Sequence, residues 1–163
     1  MAKYKVAGYV KLAKLWEKNK DKAIIYHKEY YVNKFSDSNN FELIDVYIDI
    51  TGKKETFNRQ EMVRLLSDIE LKKVNCIFTQ TKGYLAANPR EFCYLIKLMF
   101  EFNPDLHIVT EDKEYNINTF RNEDSQKEEL LKLSNHYAGL NPKDYENWKQ
   151  KIIKTINNIR NNM

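Results

Sequence analysis

Four short runs rich in β-branched and aromatic residues alternate with stretches of helical spacing, and this alternation constrains the fold of the 163-residue chain more than any other feature. The runs are residues 4–12, 41–50 (FELIDVYIDI), 74–80 (VNCIFTQ) and 106–112 (LHIVTED). Between the first two, Ala23, Ile24, His27, Tyr31 and Phe35 share one helical stripe over residues 20–35, and SDSNN at 36–40 marks a loop. Met62, Leu65, Leu66 and Ile69 repeat the spacing over 59–71. Asn88 can cap a further helix with Pro89 at its first position; Phe92, Leu95, Ile96, Met99 and Phe102 mark its inner face, and Asn103 and Pro104 end it. Parallel strands need crossover helices of this length. The reading is therefore an α/β fold, a mainly parallel four- or five-stranded sheet with helices on both faces and ligands gathering at the strand C-terminal ends.

From Glu123 onward the pattern becomes helical only, with a lysine- and glutamate-rich stretch to Tyr137, a break at AGLNP and a last helix from Lys143 to the end. We expect an α/β domain over residues 1–121 and a C-terminal helical extension over 122–163. In the last helix Tyr145, Trp148, Ile152, Ile156, Ile159 and Met163 alternate steps of three and four, the seam of a helix that packs on something. That something is either its own sheet or a partner, and spacing alone leaves the choice open.

Several chemistries are disfavoured. Gly8, Gly52, Gly83 and Gly139 stand far apart, so neither GxGxxG nor GxxxxGK[ST] is present and a nucleotide cofactor is not expected. Cys76 and Cys93 lie in apolar surroundings outside any CxxC pair, which reads as reduced core thiols. His27, His107 and His136 are isolated from one another, so no metal is expected. Charge interrupts every apolar run before it reaches membrane-spanning length, and no secretory leader is evident, so a cytoplasmic location is expected with no membrane partner. The net charge of +4 rests mainly on lysine, a residue without arginine's bidentate fork, and is weak support for nucleic acid by itself.

The order of elements and several local phrases resemble the catalytic domain of serine site-specific recombinases, the resolvase and invertase family. Those domains open on a strand reading Tyr-x-Arg-x-Ser; the matching stretch here is Tyr9, Val10, Lys11, Leu12, Ala13. FELIDVYIDI is similar to the family's second strand, and ETFNRQEMVRLLSDIELKKVNCIF to its arginine-led helix and third strand, with Arg59 at the arginine position. The family phrase Asp-Arg-Leu-Ser-Arg corresponds to Gly83, Tyr84, Leu85, Ala86 and Ala87, followed by Asn88 and Pro89. VTED at 109–112 looks like the fourth-strand ending, so the likeness covers about residues 4–119. Past it we find no counterpart of the family's long helix, and no helix-turn-helix or zinc-ribbon pattern.

The resemblance implies strand cleavage and rejoining through a phosphoserine, but the nucleophile position holds Ala13, whose methyl group cannot attack phosphorus. Lys11 keeps a charge where arginine is usual, while Tyr84 and Ala87 replace two arginines that would stabilise the transition state. The expectation is a recombinase-like domain without recombinase chemistry, from a mobile-element system, that binds DNA or regulates recombination. Its candidate phosphate contacts are Lys11, Lys14, Lys53, Lys54, Arg59 and Lys82. Arg59 alternatively begins a helix, held by a carboxylate such as Asp49; Asp49 itself is offset by one from the family's aspartate and receives no role. Two other readings stay open. One is an interaction module in which Tyr145, Trp148, Ile152, Ile156 and Ile159 contact a second copy or an active recombinase. The other is an active recombinase with an altered nucleophile, for which Tyr9 is the conceivable group, sharing a strand face with Lys11 and Ala13.

Overall fold

The computed structural model describes residues 3–114, 116–121 and 126–162. Its centre is a four-stranded sheet in the order β2-β1-β3-β4, with every pairing parallel: β1 (Tyr4–Leu12), β2 (Phe41–Ile50), β3 (Cys76–Thr79) and β4 (His107–Thr110). The period-two alternation of β1 divides the core. Val6 and Val10 face α1 (Lys20–Phe35), where Tyr31, Phe35, Val46, Cys76 and Phe78 join them. Ala7 and Tyr9 face the opposite layer, built from α2 (Gln60–Glu70), α4 (Pro89–Phe102) and the C-terminal helices. Gly8 lies on the α1 face because the layers meet there too closely for a side chain: an added Cβ would stand 2.9 Å from the Tyr31 ring.

Asn88 caps α4 as its sequence position predicts, its side chain accepting the Glu91 N–H at 2.9 Å with Pro89 next in line. The third and fourth strands are each shorter than expected, and three short elements were not expected at all: 3-10 turns at Lys14–Asn19 and Thr56–Asn58 and a four-residue helix, α3 (Lys82–Leu85). The chain then closes with α5 (Gln126–Gly139) and α6 (Pro142–Asn161). The break expected at Ala138 comes slightly later, α5 running on through Gly139. Glu123, the expected start of that helix, and Met163, the last residue of the seam, lie outside the described residues.

The structure corrects the reading of the seam as a surface for a partner. Tyr145, Trp148, Ile152 and Ile156 are buried in the chain's own core, and the half-buried Ile159 packs against the same cluster. Polar ties reinforce the packing: Trp148 Nε1 donates to Glu91 at 2.9 Å, Tyr145 Oη to Glu101 at 3.0 Å and Arg160 Nε to Ser67 Oγ at 3.0 Å. Steps of three and four record that a helix buries one stripe; α2 and α4 supply the surface that covers it. No helix among the described residues is long and apolar enough to cross a membrane.

Candidate functional site

The C-terminal ends of β1 and β2 bring Lys11 into register with Asp49, and Tyr9, two residues earlier, shares their face. Tyr9 and Asp49 are buried, and the tyrosine hydroxyl donates to Asp49 Oδ2 at 2.8 Å. The same hydroxyl oxygen accepts from Arg59 Nη1 at 3.1 Å. Asp49 also accepts the backbone N–H groups of Glu61 and Met62, each at 2.9 Å, and so supplies an anion to the first turn of α2, where the helix dipole favours one. Burial, above all, pushes the Tyr9 hydroxyl well above its ordinary pKa. A hydroxyl so placed is a structural bridge between Asp49 and Arg59.

Arg59 is corrected as a phosphate contact. It is 1% exposed and points inward. Its Nη1 also donates to the Tyr84 carbonyl at 3.0 Å, and its Nη2 to the Leu85 carbonyl at 2.6 Å and to Thr56 Oγ1 at 3.3 Å. Both carbonyls belong to the C-terminal end of α3, so this short helix exists in part because an arginine fork receives it. The link to Asp49 considered from sequence runs through the Tyr9 hydroxyl. On the other side Thr56 Oγ1 donates to Glu91 Oε2 at 2.8 Å, the oxygen that also takes the Trp148 N–H. One hydrogen-bonded chain thus runs Asp49, Tyr9, Arg59, Thr56, Glu91, Trp148 and ties β1 and β2 to α2, α4 and α6.

The lysines fall into separate groups. Lys11 is half-buried, and burial, then Arg59, then Lys54 press its pKa below the usual lysine value against the opposing pull of Asp49. Lys53 borders an open cleft of about 740 Å³ at the end of β2, together with Lys20, Asn58 and Gln60. A second cleft of about 560 Å³ shares Lys53, Asn58 and Gln60 and reaches Asn158 and Asn162 of α6. Lys14 is exposed on the 3-10 turn. Lys82 stands apart over the ends of β3 and β4, its backbone N–H donating to Asp112 at 2.8 Å. Arg59, being buried, takes no part in any basic face, and the cleft that Lys53 borders is also lined by Glu17, Asp49 and Glu61.

Ala13 is exposed directly after β1, and Ala87 is exposed before α4. Tyr84 lies between them in the sequence and lines an apolar groove with Leu12 and Trp16. Cys76 and Cys93 are free and buried, and burial raises both thiol pKa values. Among the described residues no three of His, Cys, Asp and Glu gather as metal ligands would. Sequence reasoning named Asp49 as a carboxylate for Arg59 but missed Thr56 and Glu91; polar side chains at inward positions beside a lone arginine were the available signal.

No protein-family model matches the sequence, and no curated protein matches it. Solved structures do. The chain is similar to the N-terminal catalytic domain of TP901-1 integrase, with a TM-score of 0.59 and 19% identity over 85% of this chain and 97% of that one. A resolvase family site-specific recombinase from Streptococcus pneumoniae gives a TM-score of 0.56 at 13% identity, covering 97% of this chain and 99% of the other. The C-terminal catalytic domain of ISC1926 TnpA, an IS607-like serine recombinase, gives 0.51 at 16% identity, covering 66% and 70%. The fold is that of serine-recombinase catalytic domains. At 97% coverage the likeness reaches into the C-terminal helices, beyond the span of about 4–119 legible from motifs.

Proposed function

We propose that this domain uses the serine-recombinase fold to grip the backbone of duplex DNA without cutting it, as a regulator within a mobile-element recombination system. The observation that carries the reading is the composition of the strand ends. Ala13 stands where the hydroxyl would be, Tyr84 and Ala87 stand where cations would be, and the one arginine retained, Arg59, is sealed inside by carbonyl and hydroxyl acceptors. What is left outside is a set of lysines, which attract phosphate as point charges without positioning it for in-line attack. An active enzyme with tyrosine as nucleophile is disfavoured by the burial of Tyr9 and its two hydrogen bonds.

The test is fluorescence anisotropy of a labelled random-sequence duplex titrated with protein across a salt series, with Lys11→Ala and Lys54→Ala variants. Affinity should fall linearly with salt on logarithmic axes, and each variant should reduce the slope by about one. An absence of binding at low salt, or binding indifferent to both lysines, would remove the DNA role.

A further inference from the structure

Exposed large apolar side chains occur on several elements, and α1 with the turn before it carries five of them among the described residues: Leu15, Trp16, Ile25, Tyr26 and Val32. Ile25 and Tyr26 are 56% and 64% exposed, Val32 lies two turns on from Ile25, and Trp16 lines a groove with Tyr26. Neighbouring exposed apolar side chains on one helix face are the kind of surface that a protein contact covers. On the helix, Lys22, Ile25, Tyr26 and Glu29 follow one another at steps of three, one and three and form a single stripe, all four exposed. Neither Lys22 nor Glu29 makes an ion pair among the described residues.

We infer that this stripe is the contact face of a twofold-symmetric dimer in which α1 packs antiparallel against α1 of a second copy. The charge order selects both the occupant and the direction. An axis placed between Ile25 and Tyr26 leaves Lys22 and Glu29 equally far from it, about 5 Å along the helix on either side. Antiparallel pairing then sets each Lys22 opposite Glu29 of the second copy, giving two equivalent ion pairs, while Ile25 and Tyr26 from both chains close the centre. A parallel pairing would oppose lysine to lysine and glutamate to glutamate. Self-complementarity of this kind is what an isologous contact requires. An apolar groove of about 610 Å³, lined by Leu12, Trp16, Ala23, Tyr26, His27 and Tyr84, borders the stripe and extends the apolar area the second copy covers. The contact goes beyond the DNA reading and stands or falls independently of it.

Sedimentation velocity of the full chain over a concentration series, without DNA, tests the contact. The unmodified protein should shift toward dimer as concentration rises. Lys22→Glu and Glu29→Lys each oppose like charges at both ends of the stripe and should weaken association about tenfold; combined, they restore opposite charges and should recover it. All four side chains are exposed, so the variants should keep the far-ultraviolet dichroism of the parent. An Ile25→Cys variant gives an independent readout, because a cysteine beside a twofold axis meets its own copy and oxidation should yield a covalent dimer, with Cys76 and Cys93 buried out of reach. A protein that stays monomeric at millimolar concentration overturns the inference. So does a dimer indifferent to both charge reversals, or one that Ile25→Cys does not link.

Discussion

A single hydroxyl, that of Tyr9, lets a buried arginine and a buried aspartate share one environment without touching. It donates to Asp49 and accepts from Arg59, so each ion is matched by a partner of fitting polarity and neither is left bare in the core. Replacing Tyr9 by Phe removes that oxygen. Asp49 would then keep its two backbone donors and Arg59 its two carbonyls and Thr56, but each loses one bond. We expect a loss of about 1–3 kcal/mol, read as a lower urea midpoint with an unchanged denaturant slope. Equal stability would mean that the hydroxyl is dispensable to the network. The sequence offered Asp49 as a carboxylate for Arg59, but the bridge between them was not legible, because it depends on a tyrosine one strand away and a backbone turn across the loop. Ala13 differs: what matters there is an absent hydroxyl, which the sequence shows directly.

Among the elements, α6 is the brace of the fold. Trp148 is 3% exposed, contacts Tyr94 and Tyr145 edge or face, and ends the polar chain at Glu91. Trp148→Ala should lower stability by about 3–5 kcal/mol and the melting temperature by many degrees, and a chain ending at Gly139 should fail to fold rather than merely dissociate; a cooperative melt of that shortened chain near the parent temperature would refute the role. At α1 and β4, burial holds His27 and His107 below the ordinary histidine value of 6.5. The unfolded chain therefore binds more protons between the folded values and 6.5, so stability rises with pH across that window and is lost as pH falls through it. Urea melts at pH 5 and pH 7 should show the difference, and His27→Gln should reduce it. The limits of α1, β2 and α4 were legible because periodicity and punctuation agree there, as at Asn88 and Pro89. The four residues of α3 carry no such period, since carbonyls received by Arg59 hold them. The direction of the α6 seam was illegible for a related reason: spacing defines a stripe, and only the tertiary layout defines what meets it.

At the scale of the whole molecule, the proposed function separates binding from cutting by where the cations lie. Phosphoryl transfer needs a nucleophile and fixed charges around the nonbridging oxygens together, and losing either removes most of the rate. On the proposed reading both are altered here: Ala13 has no hydroxyl, and Arg59 is committed to the interior of a chain whose net charge is +4. Restoring the hydroxyl alone should therefore not restore chemistry. Ala13→Ser, incubated with nicked or intact duplexes and resolved on a denaturing gel, should give no covalent protein–DNA complex, while its affinity for duplex in anisotropy matches that of the parent. The exposed position of Ala13 makes the substitution harmless to folding, so a negative gel reports on the missing charges rather than on damage. A covalent complex in that variant would mean that Lys11 and Lys54 do stabilise the developing charge, and that the single methyl at position 13 was all that silenced the site.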